Sequence, residues 1–135
     1  MPYHPKDHRT QLKLAYLGYA VGPLDGVWGP KTTAAIKQFQ QNNGLRVTGN
    51  CNSDNGDTYA TLDSAFMNNN YLMNGAVLQW LLYWAGYNPG KIDGIIGRNT
   101  RNALMNFQNS VGLSMTGDQD SDTIWYLKNS IMPAG

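Results

Sequence analysis

The chain has 135 residues, of which 41% are hydrophobic and 14% are charged, and its formal net charge is +1. This composition favours a folded chain over a disordered one and contains no run apolar enough to predict a membrane span. The ten Lys and Arg residues are scattered rather than clustered, which argues against a nucleic acid as the main ligand. The only cysteine is Cys51, so neither an internal disulfide nor a cysteine-based zinc site can form.

An internal repeat governs every later assignment. When the chain is shifted by 68 positions, residues 11–49 align with residues 79–117 without a gap, and 16 of the 39 pairs are identical. The first copy then carries three extra residues before Thr58, which corresponds to Thr123. The chain is therefore two tandem copies of one module.

The first predicted element of each copy is a helix followed by a glycine-rich loop. Leu14 and Leu17 recur at helical spacing, and Gly18 supplies the left-handed residue that ends such a helix. The loop spans residues 19–29 in the first copy. Within it, Asp25 is predicted to be a buried carboxylate that accepts hydrogen bonds from nearby backbone amides and holds the loop.

Two further helices complete the module. The second helix is predicted to begin at Pro30 and to stop at Gly44. Thr58 and Thr123 are the predicted N-caps of the third helix. The apolar residues that this helix contributes are Leu62 and Phe66 in the first copy, and Trp125, Leu127 and Ile131 in the second. The prediction is an all-α fold of two small orthogonal three-helix bundles, at 10–70 and 74–132, after an N-terminal extension at 1–9.

The ordered set of repeated residues resembles the peptidoglycan-binding domain family of bacterial and phage cell-wall hydrolases. The resemblance covers roughly residues 10–62 and 78–127 and departs from the family at Thr10, where an apolar residue is usual, and at Ile96, where an aromatic residue is usual. The residues of the first copy that carry it are Gln11, Leu14, Gly18, Tyr19, Asp25, Gly26, Gly29, Pro30, Thr32, Ala35, Ile36, Phe39, Gln40, Gly44, Leu45, Val47, Thr48, Gly49, Thr58 and Leu62.

The resemblance implies a non-catalytic module that binds peptidoglycan, both glycan strand and stem peptide, and targets an attached or partner hydrolase such as an endolysin to the wall. The expected location is the cell wall or the extracellular space, without a signal peptide in this chain, because Met1–Lys6 lacks a basic start and an apolar run. The alternative is a structural or protein-docking scaffold in a phage particle or spore coat, since a fold does not dictate a function.

The sequence predicts no catalytic residue, no metal site and no cofactor. No Ser or Cys stands with a His in a recognisable motif. His4 and His8 have the spacing of metal ligands on a helix, but Pro2 and Pro5 disfavour a helix there, and a frayed N-terminus is expected instead. The acidic run 118–122 lacks the Gly and Glu of a calcium loop.

Aromatic residues are the candidate ligand contacts, because aromatic faces suit sugar and peptide ligands. The candidates are Tyr19, Trp28, Trp80, Tyr83, Trp84 and Tyr87. Trp28 is either a stacking platform or a plug under its loop. The last four form one stripe at helical spacing, which is either a ligand surface or an interface between the two copies.

Overall fold

The computed structural model describes residues 6–51, 56–69 and 71–131. Within these residues the secondary structure consists of helices joined by loops, without strands, as predicted. The chain divides into two compact units, a first unit that extends to Tyr71 and a second that begins at Leu72. The helices of the first unit are α1 (Lys6–Tyr16), α2 (Pro30–Asn42) and α3 (Asp57–Asn68), and those of the second are α4 (Gly75–Trp84), α5 (Arg98–Ser110) and α6 (Ser121–Ile131). None of the described helices is both long enough and apolar enough to cross a membrane.

The N-terminal end of α1 differs from the expectation of a frayed segment. The helix begins at Lys6, within the predicted extension, and both His8 and Thr10 are buried in it. The Thr10 hydroxyl donates a hydrogen bond of 2.9 Å to the Lys6 carbonyl, which satisfies a polar group at a position where the family prefers an apolar one. A Cβ placed on Gly26 would lie 3.5 Å from the His8 Cβ, so His8 packs on the glycine loop. His4 lies outside the described residues.

The ends of the first helix in each unit are as predicted. Gly18 and Gly86 adopt φ values of +95° and +96°, the left-handed conformation that residues with a Cβ rarely adopt. The amide that follows each glycine donates back into the helix, from Tyr19 to the Leu14 carbonyl at 3.0 Å and from Tyr87 to the Leu82 carbonyl at 2.9 Å. The turn that leads into each loop is therefore fixed.

Each unit has its own apolar core. In the first unit, α1, α2 and α3 contribute Leu14, Phe39 and Leu62, and the connecting segments contribute Val21 and Cys51. The fully or almost fully buried residues of the second unit include Leu78, Leu81, Leu82, Ala103, Leu104, Phe107, Ile124, Leu127 and Ile131. Burial of each large aliphatic or aromatic side chain contributes about 1.5–3 kcal/mol, so the core residues hold the three helices of a unit together.

The predicted N-caps of α3 and α6 are wrong. Thr58 is the second residue of α3 and Thr123 is the third residue of α6, and both side chains are completely buried. Their hydroxyls accept hydrogen bonds of 3.0 Å from the Nε2 atoms of Gln40 and Gln108. These threonines therefore satisfy a buried amide on the second helix of their unit rather than the start of their own helix.

Trp125, one of the apolar residues that the sequence assigns to the third helix of the second copy, lies outside the core. Its side chain is 52% exposed, whereas the neighbouring Ile124 is buried together with Leu127 and Ile131. Trp125 instead forms an exposed edge-to-face pair with Tyr126, with ring centroids 5.0 Å apart.

Candidate functional site

A buried glutamine on the first helix of each unit holds the glycine loop. The Gln11 amide donates to the Val27 carbonyl at 2.9 Å and to the Thr32 hydroxyl at 3.1 Å, and its oxygen accepts from the Gly26 amide at 2.8 Å. Gln79 makes the equivalent three bonds, to Ile95, Thr100 and Gly94, at 2.9, 3.1 and 2.9 Å. One side chain thus ties the first helix, the loop and the second helix together.

An exposed aspartate in each loop also accepts a hydrogen bond from the loop backbone. The carboxylates of Asp25 and Asp93 accept hydrogen bonds of 2.9 Å from the amides of Val27 and Ile95. These backbone bonds are the main reason why the pKa of each carboxyl lies below its ordinary value. Both aspartates are exposed, which corrects the expectation of a buried carboxylate at position 25.

The loop and the first turn of the second helix enclose a groove in each unit. The first groove lies between Val21, Pro23, Asp25 and Val27 of the loop and the first turn of α2, and its volume is about 350 Å³. The second groove lies between Pro89, Lys91, Asp93 and Ile95 and the first turn of α5, and its volume is about 420 Å³. All residues that line the second groove fall, after the shift of 68 positions, on residues that line the first. The fold therefore builds the same groove twice.

A glycine in each loop lies close to a residue of the second helix that lines the groove. A Cβ on Gly22 would lie 2.8 Å from the Cδ of Lys31, and a Cβ on Gly90 would lie 2.9 Å from the Cβ of Asn99. Both glycines also adopt positive φ values, +76° and +81°. A larger residue would be strained in this backbone conformation and would displace the side chain of Lys31 or Asn99, which lines the groove.

The two grooves are lined by equivalent positions but differ in charge. Each offers an exposed aliphatic side chain, Val27 or Ile95, beside an exposed aspartate. The first groove contains one basic residue, Lys31, whereas the second contains two, Lys91 and Arg98. Such surfaces suit a ligand that carries apolar groups together with carboxylates and amides.

Tyr19 and Tyr87, two of the predicted ligand residues, hold equivalent positions at the start of the loops. Their rings pack edge to face on Phe39 and Phe107, with centroids 5.8 and 5.6 Å apart, and both are half-buried. The Tyr19 hydroxyl also accepts a hydrogen bond of 3.1 Å from Asn42. These contacts anchor each loop to the second helix of its unit.

The three remaining residues of the aromatic stripe lie on α4, but their exposure differs. Tyr83 is 43% exposed and Trp80 is half-buried, with ring centroids 6.0 Å apart. Trp84 is only 1% exposed and packs 5.5 Å from the Trp80 ring. Because Trp84 has no accessible face for a ligand, its position argues against the predicted role.

Trp28 is neither fully exposed nor a buried plug. It is half-buried, and its indole Nε1 donates a hydrogen bond of 3.0 Å to the Thr33 hydroxyl. Its side chain also lines a cavity of about 230 Å³ in the first unit. Trp28 is thus a predicted aromatic residue that lines a cavity.

A family model described as "Putative peptidoglycan binding domain" matches residues 8–54 and 76–125, one stretch in each unit. The chain belongs to this family. Membership agrees with the resemblance seen in the sequence and identifies the duplicated module as the family's domain.

Two curated relatives match one short segment each. The protein named "Putative OxPP cycle protein OpcA" of Synechocystis sp. is 54% identical over 41 residues, which are 30% of this chain and 9% of that protein. The protein of the same name from Nostoc punctiforme is 43% identical over 47 residues, 35% of this chain and 10% of that protein. The chain thus spans about a tenth of these relatives. No solved structure matches the chain.

Proposed function

We propose that this chain is a non-catalytic wall-binding module that holds an attached or partner hydrolase on peptidoglycan at the cell wall, and that the first and second grooves contact the polymer. Its membership of the peptidoglycan-binding family supports the ligand class. The observation that carries the assignment to the grooves is their recurrence at equivalent positions in both units.

Two copies of one groove suit a polymer with a repeating chemical unit. When one groove is occupied, the other meets further repeats of the same polymer at a high effective concentration, which raises the overall affinity without any new contact. Weak binding at each groove is therefore sufficient for retention on the wall.

The lining of the grooves suits the stem peptide of peptidoglycan. Its carboxylates would pair with Lys31 in the first groove and with Lys91 or Arg98 in the second. Val27 and Ile95 would contact its aliphatic side chains. Tyr19 and Tyr87 would act mainly by holding the loops, while Trp80 and Tyr83 are proposed as additional contacts through their accessible ring surfaces.

Retention on purified cell-wall sacculi tests this proposal. The informative variant combines Lys31→Glu and Arg98→Glu, one charge reversal in each groove. Both residues are exposed in the first turn of a helix, where a negative charge interacts favourably with the helix dipole, so the fold should be retained. We expect the wild type to be retained at moderate salt and the double variant to bind at least tenfold more weakly.

The matched control is Arg46→Glu, an exposed charge reversal outside both grooves. It should bind like the wild type. Equal retention of all three proteins would show that the grooves are not the binding site. No retention of the wild type would refute wall binding and favour the protein-docking alternative.

A further inference from the structure

The first unit contains a third cavity, which the proposed function does not use. Asp7, Trp28, Asn50, Cys51 and Tyr59 line it, and we call it the Trp28–Tyr59 pocket. Its volume of about 230 Å³ lies below the roughly 300–1,000 Å³ of sites for drug-sized ligands. The pocket therefore suits a single ring rather than an extended segment.

The walls of the pocket are held in place by neighbouring contacts. The Trp28 indole is fixed on the first turns of α2 by its hydrogen bond to the Thr33 hydroxyl. The Lys6 ammonium lies 4.0 Å from the centre of the Tyr59 ring and covers one of its faces. Burial raises the pKa of Tyr59 to about 12, and a side-chain hydrogen bond with Cys51 acts in the same direction, so its hydroxyl stays protonated.

The polar lining complements the two rings. Asp7 and Asn50 are exposed at the rim, where a carboxylate accepts hydrogen bonds from hydroxyl groups and an amide both donates and accepts them. A pyranose ring presents this combination of an apolar C–H face and a rim of hydroxyl groups. The residues that line the pocket include the acidic Asp7 but no lysine or arginine, whereas each groove combines an aspartate with at least one basic residue, so the pocket favours a neutral ligand over a stem-peptide carboxylate.

The second unit does not repeat this pocket's aromatic walls. Ile96 stands at the position of Trp28, and Ile124, which is buried, stands at the position of Tyr59. Gly75 occupies the position of Asp7, and a Cβ there would lie 1.9 Å from the Gly94 carbonyl oxygen, so no side chain fits. The residues that give the pocket its character are thus confined to the first unit.

We propose that the Trp28–Tyr59 pocket binds one N-acetylhexosamine ring of the peptidoglycan glycan strand, with Trp28 as the stacking face and Asp7 as a hydrogen-bond acceptor. This inference rests on the proposed function for the identity of the polymer. It adds a glycan site, present in the first unit, to the two peptide-binding grooves.

The test uses a β-1,4-linked trimer of N-acetylglucosamine, which contains the sugar but no peptide, titrated into the full chain. The indole N–H signals of Trp28, Trp80, Trp84 and Trp125 in a proton–nitrogen correlation spectrum report on each tryptophan separately. We expect a saturable shift of the Trp28 signal. Trp28→Leu and Asp7→Ala should each weaken binding at least tenfold, and because Asp7 is exposed its variant should retain the fold.

The matched control is Trp125→Leu, which makes the same change at an exposed ring of the second unit and should leave the affinity unchanged. A trimer that does not shift the Trp28 signal, or that binds Trp28→Leu as tightly as the wild type, would overturn the glycan assignment. If the glycan assignment fails but the wild type is still retained on sacculi, the proposed function stands. If the wild type is not retained on sacculi, the proposed function is refuted.

Discussion

The second buried glutamine of each unit, Gln40 or Gln108, provides the most demanding test of how the modules are held together. The Gln40 oxygen accepts from the amides of Thr48 and Gly49 at 2.9 and 3.0 Å. Its Nε2 atom lies within 3.0 Å of the Thr48 hydroxyl, the Asn50 carbonyl and the Thr58 hydroxyl. Because the amide has two hydrogens, it makes about four hydrogen bonds at a time.

Gln40→Met removes these bonds while nearly preserving the side-chain volume, so the lost hydrogen bonds dominate the effect. At about 1 kcal/mol for each bond, the expected loss of unfolding free energy is about 4 kcal/mol. This is a large share of the roughly 3–10 kcal/mol expected for a unit of this size. Gln108→Met should have a similar effect in the second unit, since Gln108 bonds to Thr116, Gly117 and Thr123 in the same way.

Urea denaturation combined with amide hydrogen exchange measures the effect in each unit. The Gly49 amide should exchange much faster in Gln40→Met, because it loses its acceptor. The matched control is Gln41→Met, the neighbouring exposed position on α2, where a change within about 0.5 kcal/mol is expected. If Gln40→Met and Gln41→Met unfold with the same free energy, the buried amide does not hold the segment that joins α2 to α3.

Three further predictions concern strain and pH. Gly90 has a φ of +81° and lies close to Asn99, whereas Gly112 has a similar φ of +78° but open space around it, so Gly90→Ala should lower the melting temperature more than Gly112→Ala. Equal melting temperatures of the two variants would show that the loop relaxes around the new side chain. Burial lowers the pKa of Lys128 from 10.5 to about 8, so between these pH values the unfolded chain binds more protons than the folded one and the unfolding free energy should rise with pH. Lys128→Met should reduce this dependence of the unfolding free energy on pH, and an unchanged dependence would contradict the lowered pKa. The pKa of Asp93 is lowered from 3.8, so its contribution to the unfolding free energy is present above that pH and is lost as the pH falls through the lower pKa of the folded chain. When the unfolding free energy is measured against pH, Asp93→Asn should lose less of it in acid than the wild type, and identical losses would contradict the pKa shift.

The sequence predicted the parts of the fold that depend on local backbone requirements. Gly18 and Gly86 end their helices as expected, because few other residues adopt the conformation of that cap. Pro30 begins α2 as expected, because its missing amide is not needed in the first turn. These helix ends can be predicted from the sequence because they do not depend on residues that are distant in the chain.

The predictions failed where a distant partner decides the outcome. Thr58 resembles an N-cap in the sequence, but its hydroxyl is the partner of Gln40, 18 residues away. In α6 the buried positions Ile124, Leu127, Lys128 and Ile131 follow helical spacing, and they include a lysine, which a sequence pattern based on apolar residues does not select. Trp125 lies two positions from Leu127 and therefore on a different side of the helix, where its ring is exposed.

The grooves could not be found from the repeat alone, because the identical residues mostly build the scaffold. The residues that are identical between the two copies include buried or turn-forming ones such as Gln11, Gly22 and Thr32. The basic residues that give the grooves their charge occupy different positions in the two copies. Lys31 corresponds to Asn99, and Arg98 corresponds to Pro30. A comparison between copies therefore reveals what holds the loops but not what contacts a ligand.

The same scaffold bonds have a consequence for binding. Gln11 and Gln79 already fix each loop to both adjoining helices, so a ligand that enters a groove does not have to order the loop first. Ordering a loop on binding opposes affinity, and a preformed groove avoids that loss. The surface side chains can then change the charge of a groove, as Lys91 and Arg98 do in the second unit, while the glutamine that holds the loop is retained. Because the residues that hold the loop differ from those that give the groove its charge, one fold can present two grooves of different charge.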